Sequence, residues 1–425
     1  MGKQVGENSS ERSEFMEVKD LYRQILGIEE PWKVSQVELD VKEERIDVKV
    51  DHEEEVRWPC PECGQLLTVY DHAPERVWRH LDACQFKTYL GARIPRVNCP
   101  VHGVRQVKVS WAEEHSRFTM LFERLAIEVL KEANIEGTAR LLRVSWDEAW
   151  NLMERAVRRG QRRKKRRAAK KMGVDEKSLG KGHNYLTLVY DLGEARVEYI
   201  ADDRRKESLD GYFSLLSSAQ REEVEAIATD IWDPYLASIR EHVPGAEEKL
   251  VFDRYHLMRH LVDAVDKVRK QEHRELKREG LGVLAGTKYL WLYSQENLPP
   301  EKRRLFSWLK KKRLKTARAW AIKESFRELW GYQSLGWATK HFESWYPWAI
   351  RSRLNPIKQV ARMFRKYLRN ILTYLKHRIT NAVSEGINST IQAIKKMACG
   401  FRNREHFKIA IYFHCGGLDL YSGTH

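Results

Sequence analysis

The chain has 425 residues, with 76 Lys and Arg against 60 Asp and Glu, a net charge of +16 and a pI near 9.4. That length accommodates about two to four domains, and the charge points to a polyanionic partner whose phosphates release counterions on binding. A 42% hydrophobic share with 14 Trp excludes global disorder, six Cys exclude a disulfide scaffold, and no apolar run has the length of a membrane span.

Residues 1–15 (MGKQVGENSSERSEF) lack the apolar core of a signal peptide and read as a disordered tail. Residues 16–28 read as a short amphipathic helix. Residues 37–50 (VELDVKEERIDVKV) read as two strands, continued by the TVYDH and RIPRVN segments. Among them lie Cys60-Pro-Glu-Cys63 and Cys99-Pro-Val-His102, with Gly64 and Gly103 after each. Zinc favours four thiolate or imidazole donors in a tetrahedron, and a knuckle of this spacing supplies two from one tight turn. Cys60, Cys63, Cys99 and His102 therefore form a candidate structural Zn²⁺ site in a small β-domain over 16–112, with Cys84 as a substitute ligand.

Helical periodicity begins near residue 116 and breaks at Gly137 and Val144-Ser145, which predicts a tri-helical unit over 113–160. Ser145 with Glu148 forms a capping box at the start of the last helix. The layout is that of a helix-turn-helix, whose second helix enters the major groove, or of an ordinary helical hairpin. Under the first reading Arg140, Arg143, Ser145, Trp146, Asn151 and Arg155 are DNA-contact candidates. A basic run over 161–171 reads as a linker, with Arg162, Arg163 and Lys164 placed to neutralise phosphates.

From 172 to 253 strand and helix alternate. Strands are predicted at 172–176, 184–191, 195–201, 224–230 and 249–253, the first three as an antiparallel meander. Residues 254–378 read as helical and hold seven of the 14 Trp, most of them core and one or two available to stack on unpaired bases. Residues 381–412 form a last helical segment interrupted at Gly400-Phe-Arg-Asn403. Lys395, Lys396 and Arg402 on it are either phosphate contacts or a solvated face.

Asp175 and Asp230 end predicted strands and Glu385 opens a predicted helix. Phosphodiester chemistry uses two Mg²⁺ or Mn²⁺ ions held by hard carboxylates, and two strand ends plus a packed helix can supply them. Other acids compete: Asp253 ends the next strand, and Asp191, Asp202, Asp203 and Asp233 lie nearby.

The ordered set CPECG, CPVHG, GVDEKSLGKGHNYLTLVYDL, TDIWDPY, FDRYHLMRH and NAVSEGINSTIQAIKKMACGFRN resembles the bacterial insertion-sequence transposases of the ISL-three group over residues 18 to 415. The resemblance implies a multi-domain α+β chain: a zinc-binding domain, a helix-turn-helix and a ribonuclease-H-like α/β core, in parts 172–253 and 379–425, interrupted by the helical insertion 254–378. It assigns Asp175 and Glu385 as the first and third acids of a DDE triad, with Asp230 as the second. Asp253 with His256 matches the Asp-x-x-His signature and supports the site; Asp253 remains the alternative second acid. His102 departs from the cysteine expected in the second knuckle. The implied activity is Mg²⁺-dependent cleavage and strand transfer at terminal inverted repeats. The partner is double-stranded DNA, with no membrane, and the chain acts as a homodimer or higher oligomer in the cytoplasm at the nucleoid. A non-cutting DNA-binding regulator and a structure-selective nuclease of the same fold are the alternatives.

Overall fold

The computed structural model describes residues 16–165, 167–178, 185–379 and 382–423, so the tail expected over 1–15 lies outside them. The chain divides into two compact units, one of residues 1–164 with 418–425 and the other of residues 165–417.

The first unit opens with the helix Val18–Ile25 and a four-stranded sheet in the order Trp32–Asp40, Arg45–His52, Lys87–Ala92, Arg76–Arg79. Alternation builds it: Ile46, Val48 and Val50 turn inward while Lys49 faces solvent. Trp32, Trp58, Trp78 and Trp111 pack ring against ring at the centre of this core. Cys60 lies in the turn between the short strands Trp58–Pro59 and Leu66–Leu67, and Cys99 closes the strand Pro95–Cys99 ahead of Gly103–Gln106.

Three helices follow, Met120–Glu132, Ile135–Leu142 and Trp146–Arg163, capped by the side chains of Thr119, Asn134 and Ser145. The expected capping box is formed: Ser145 Oγ accepts from Glu148 N–H, and Glu148 Oε2 accepts from Ser145 N–H. The last helix runs to Arg163 and the next strand starts at Lys171, so both ends of the expected 161–171 linker belong to regular elements.

A buried charge network ties this unit together. Arg159 (4% exposed) donates to Glu123 (2% exposed) and to Glu113, both at 2.6 Å. It also donates to the Leu420 carbonyl at 2.6 Å. The segment from Leu418, expected to close the core, therefore packs against Trp146–Arg163, and its Tyr421 meets Glu128 and Lys131 of Met120–Glu132. Gly160 admits it closely, since a Cβ there would lie 2.7 Å from Leu418 Cβ.

The second unit is built on a five-stranded sheet in the order Arg196–Asp202, Tyr185–Asp191, Lys171–Ser178, Ala226–Thr229, Leu250–Phe252. The expected meander is present: the first three in sequence are antiparallel, and the last two run parallel to Lys171–Ser178. Ala226–Thr229 and Leu250–Phe252 are buried at every position, as continuous apolar strands covered on both faces should be.

The helix Arg254–Arg278 begins directly after the last strand, and helices continue to His377. This insertion shares one core with the sheet, running from Phe252 through Leu257 and Val265 to Trp291, Phe326 and Trp345. Trp291, Trp320, Trp330 and Trp345 are buried in it, whereas Trp308, Trp337 and Trp348 are exposed. Residues 254–378 carry 30 Lys and Arg against 10 Asp and Glu, an excess larger than the +16 of the whole chain, which leaves the remainder net acidic. The chain then returns in the helices Ala382–Met397 and Arg404–Cys415, and Tyr412 Oη accepts from Ile200 N–H at 3.0 Å.

Candidate active site and metal centre

Sheet register brings three aspartates together. Val174 pairs with Thr229 in the parallel ladder, and Thr229 pairs with Phe252 on the next strand. Asp175, Asp230 and Asp253 are each the following residue: Asp230 and Asp253 stand just past the ends of their strands, and Asp175 stands beside them where the parallel ladder stops, inside a strand that runs on to Ser178 rather than ending near it as expected. Open sheets of this kind bind ligands at that edge. The three aspartates line one cleft of about 220 Å³ with Trp232, His256 and Arg259.

Their surroundings differ. Burial raises the Asp175 carboxyl above its usual range, and the nearby Asp230 raises it further. Asp230 Oδ2 lies 2.6 Å from His256 Nδ1, and this contact raises the imidazole above its ordinary value. Asp253 Oδ1 accepts from Tyr255 N–H at 2.9 Å and caps the helix Arg254–Arg278, while its Oδ2 is 3.8 Å from His256 Nε2. One donor each from Asp230, Asp253 and His256 falls within 4.8 Å of the others.

Glu385 sits in the first turn of Ala382–Met397 and is exposed. With Asp175, Asp253, His256 and Asn388 it lines an adjoining hollow of about 540 Å³. All five predicted site residues thus come to one edge of the sheet. Sequence reasoning passed over Asn388, whose spacing of three from Glu385 on a helix was the available signal. It also passed over Gly173, where a Cβ would lie 2.8 Å from Ser384 Oγ. That close approach seats the Glu385 helix on the Asp175 strand.

In the first unit, ligand atoms of Cys60, Cys63, Cys99 and His102 converge within 4.8 Å. Cys63 Sγ is 3.7 Å from Cys99 Sγ, and His102 Nδ1 is 3.5 Å from Cys99 Sγ and 3.8 Å from Cys60 Sγ. A tetrahedral zinc with ordinary bond lengths spaces its donors about 3.6–3.8 Å apart, so this set fits the ion. Gly64 (φ 76°) and Gly103 (φ 67°) make the left-handed turns that close the two knuckles. The backbone N–H groups of His102 and Val101 favour the Cys99 thiolate and lower it to about 6. Cys84 is exposed and stands outside the cluster.

Of the candidate DNA contacts, Arg140, Ser145, Trp146, Asn151, Arg162 and Arg163 are exposed. Arg163 also donates to Asp419 at 3.1 Å. Arg143 and Arg155 are turned to acids of their own unit: Arg143 pairs with Asp82, and Arg155 lies 3.1 Å from Glu123 and 3.5 Å from Glu113. Lys164 and Lys395 are half-buried, whereas Lys396 and Arg402 are exposed.

Comparison with known proteins agrees with this layout. Residues 57–102 match the zinc-finger of transposase IS204/IS1001/IS1096/IS1165, and residues 107–157 match the helix-turn-helix domain of transposase family ISL3. The chain is 25% identical over 356 residues to the transposase for insertion sequence element IS1001 of Bordetella parapertussis, covering 83% of this chain and 87% of that protein. It is 24% identical over 412 residues to the transposase for insertion sequence element IS1557 of Mycobacterium tuberculosis, covering 90% and 92%. Residues 172–411, more than half of the chain and the whole of the acidic site, match the transposase domain of the same family. The chain belongs to the ISL3 family of insertion-sequence transposases.

Proposed function

We propose that this transposase binds the terminal inverted repeats of its own element and carries out Mg²⁺-dependent cleavage and strand transfer with Asp175, Asp230 and Glu385 as its acid triad. The observation that carries the reading is the register that sets Asp175 beside Asp230, which follows the end of the adjacent strand, in a cleft continuous through Asp175 with the hollow that Glu385 lines. The strand order, with three antiparallel strands and then two parallel ones, supports a ribonuclease-H-like core.

Bound divalent metal supplies an activated oxygen nucleophile and a stabilised leaving oxygen. The protein's part is to hold carboxylates in place. Asp230 is favoured over Asp253 as the second acid, because Asp253 already caps a helix and its side chain is only 7% exposed, against 32% for Asp230. His256 orients Asp230, and Asp253 supports His256 from its other nitrogen. Exposed Glu385 completes the set from the helix side.

Structural zinc on Cys60, Cys63, Cys99 and His102 would fix the N-terminal β-domain, and the helix-turn-helix would read the ends through Arg140, Ser145, Trp146 and Asn151. The basic insertion, with exposed Trp308 beside Lys312 and Trp337 beside Lys340, would track phosphates and offer rings to unpaired bases. Joining two ends calls for a homodimer or larger assembly on DNA, at the nucleoid in the cytoplasm. The test is cleavage of the element's end DNA with Mg²⁺: Asp175→Ala should bind the ends normally and cut nothing, and normal cutting by that variant would sink the assignment.

A further inference from the structure

Asn388 takes no part in the mechanism above, yet it makes the most specific contacts around Asp175. It lies one turn beyond Glu385 on Ala382–Met397. Its Nδ2 donates to Asp175 Oδ2 at 2.8 Å. Its Oδ1 accepts from the Tyr190 hydroxyl at 3.1 Å, and its backbone carbonyl accepts from Lys177 Nζ at 3.3 Å. The other Asp175 oxygen, Oδ1, accepts from the Glu176 N–H at 2.7 Å.

These bonds have a direction. Tyr190 is fully buried on the strand beside Asp175, and burial keeps its hydroxyl protonated and therefore a donor. An amide has one acceptor end and one donor end. With its oxygen committed to Tyr190, Asn388 can offer Asp175 only N–H. A carboxylate torsion is otherwise broad and soft. Held by one donor on each oxygen, Asp175 has a fixed plane and a spare lone pair on each oxygen. The same amide joins the Asp175 strand to the helix that bears Glu385, three residues away.

Resting on the reading of Asp175 as a metal-holding acid, we propose that Asn388 is a positioning residue that fixes the Asp175 carboxylate relative to Glu385, with Tyr190 holding its amide in the donating orientation. Neighbours that orient a metal-binding carboxylate typically contribute about 10–100-fold in metal affinity or activity.

The experiment is a Mn²⁺ binding titration on the full-length, zinc-saturated protein, with end-DNA cleavage measured against Mg²⁺ concentration on the same samples. Asn388→Ala should weaken Mn²⁺ binding about tenfold or more and shift cleavage to higher Mg²⁺. Tyr190→Phe should do the same to a smaller extent. Because Tyr190 acts through Asn388, adding Tyr190→Phe to Asn388→Ala should weaken binding no further. Wild-type Mn²⁺ affinity in Asn388→Ala would overturn the proposal, as would independent, multiplying losses in the double variant. If Asn388→Ala fails to fold, Tyr190→Phe alone decides: an unchanged Mn²⁺ affinity refutes the proposal and a weakened one supports it. Asp175→Ala run alongside separates the two levels, since normal metal binding and cleavage there would remove the underlying acid assignment instead.

Discussion

The cluster from Cys60 to His102 and the cluster from Asp175 to Glu385 both gather metal-type donors, and they are built in opposite ways. The first takes its donors from two tight turns, each closed by a left-handed glycine, at separations that already match a tetrahedron. The second takes them from the middle of one strand, the end of the next, a helix start and a distant helix, and leaves them facing a cleft. Burial first, and repulsion by Asp230 second, raise the Asp175 carboxyl there. A closed set of soft donors suits a structural ion, and an open set of hard donors suits chemistry on a bound phosphate. Loss of a donor should therefore cost stability in one place and activity in the other.

The largest effect should come from the closed cluster. Cys99→Ser, or chelation of zinc, should abolish the cooperative melting of the N-terminal unit and with it end binding, read by calorimetry and gel retardation, because metal binding and folding are coupled at such sites. An unchanged melt would remove zinc from the account of that unit. At the open cluster, Asp175→Asn should leave the fold intact and the melting temperature near that of the wild type, since relief of a buried charge facing Asp230 offsets the hydrogen bond lost where an amide N–H replaces a carboxylate oxygen. A drop of several degrees would mean that the acidic edge is itself structural.

Asp230→Asn and Asp253→Ala sharpen the comparison further. The first should eliminate cleavage with an unchanged melt. The second should cost about 1 kcal/mol of stability through the lost cap while leaving measurable cleavage. The reverse pattern would make Asp253 the second acid. A control away from both clusters is Glu123→Gln. It leaves Arg159 short of a partner in a buried network, and about 3–5 kcal/mol of destabilisation is the usual scale for a broken buried pair. The smallest effect is Ser145→Ala, at about 1 kcal/mol for a lost helix cap.

Much of this was legible in the sequence, for physical reasons that can be named. Knuckle spacing is local, so the four zinc-type donors could be read directly. Apolar runs that stop at an aspartate marked Asp175, Asp230 and Asp253, and strand register did the rest. What could not be read was long-range pairing. Arg155 stands at an exposed-looking helix position, but Glu113 and Glu123, over thirty residues upstream, claim it. The segment from Leu418 carries no pattern that announces its docking on Arg159 and Gly160. The insertion reads as a separate helical block, yet it continues the sheet's own core through Leu257 and Val265. Asn388 was hidden because its partner Asp175 lies on another element, more than two hundred residues away.

Glu385 offers the cleanest test of the central claim, because it is exposed and its replacement disturbs no packing. Cleavage of the element's end DNA by Glu385→Ala should be measured with Mg²⁺ beside a retardation assay on the same DNA. Wild-type end binding with no cut or joined product is the expected result. Cleavage at the wild-type rate would contradict it.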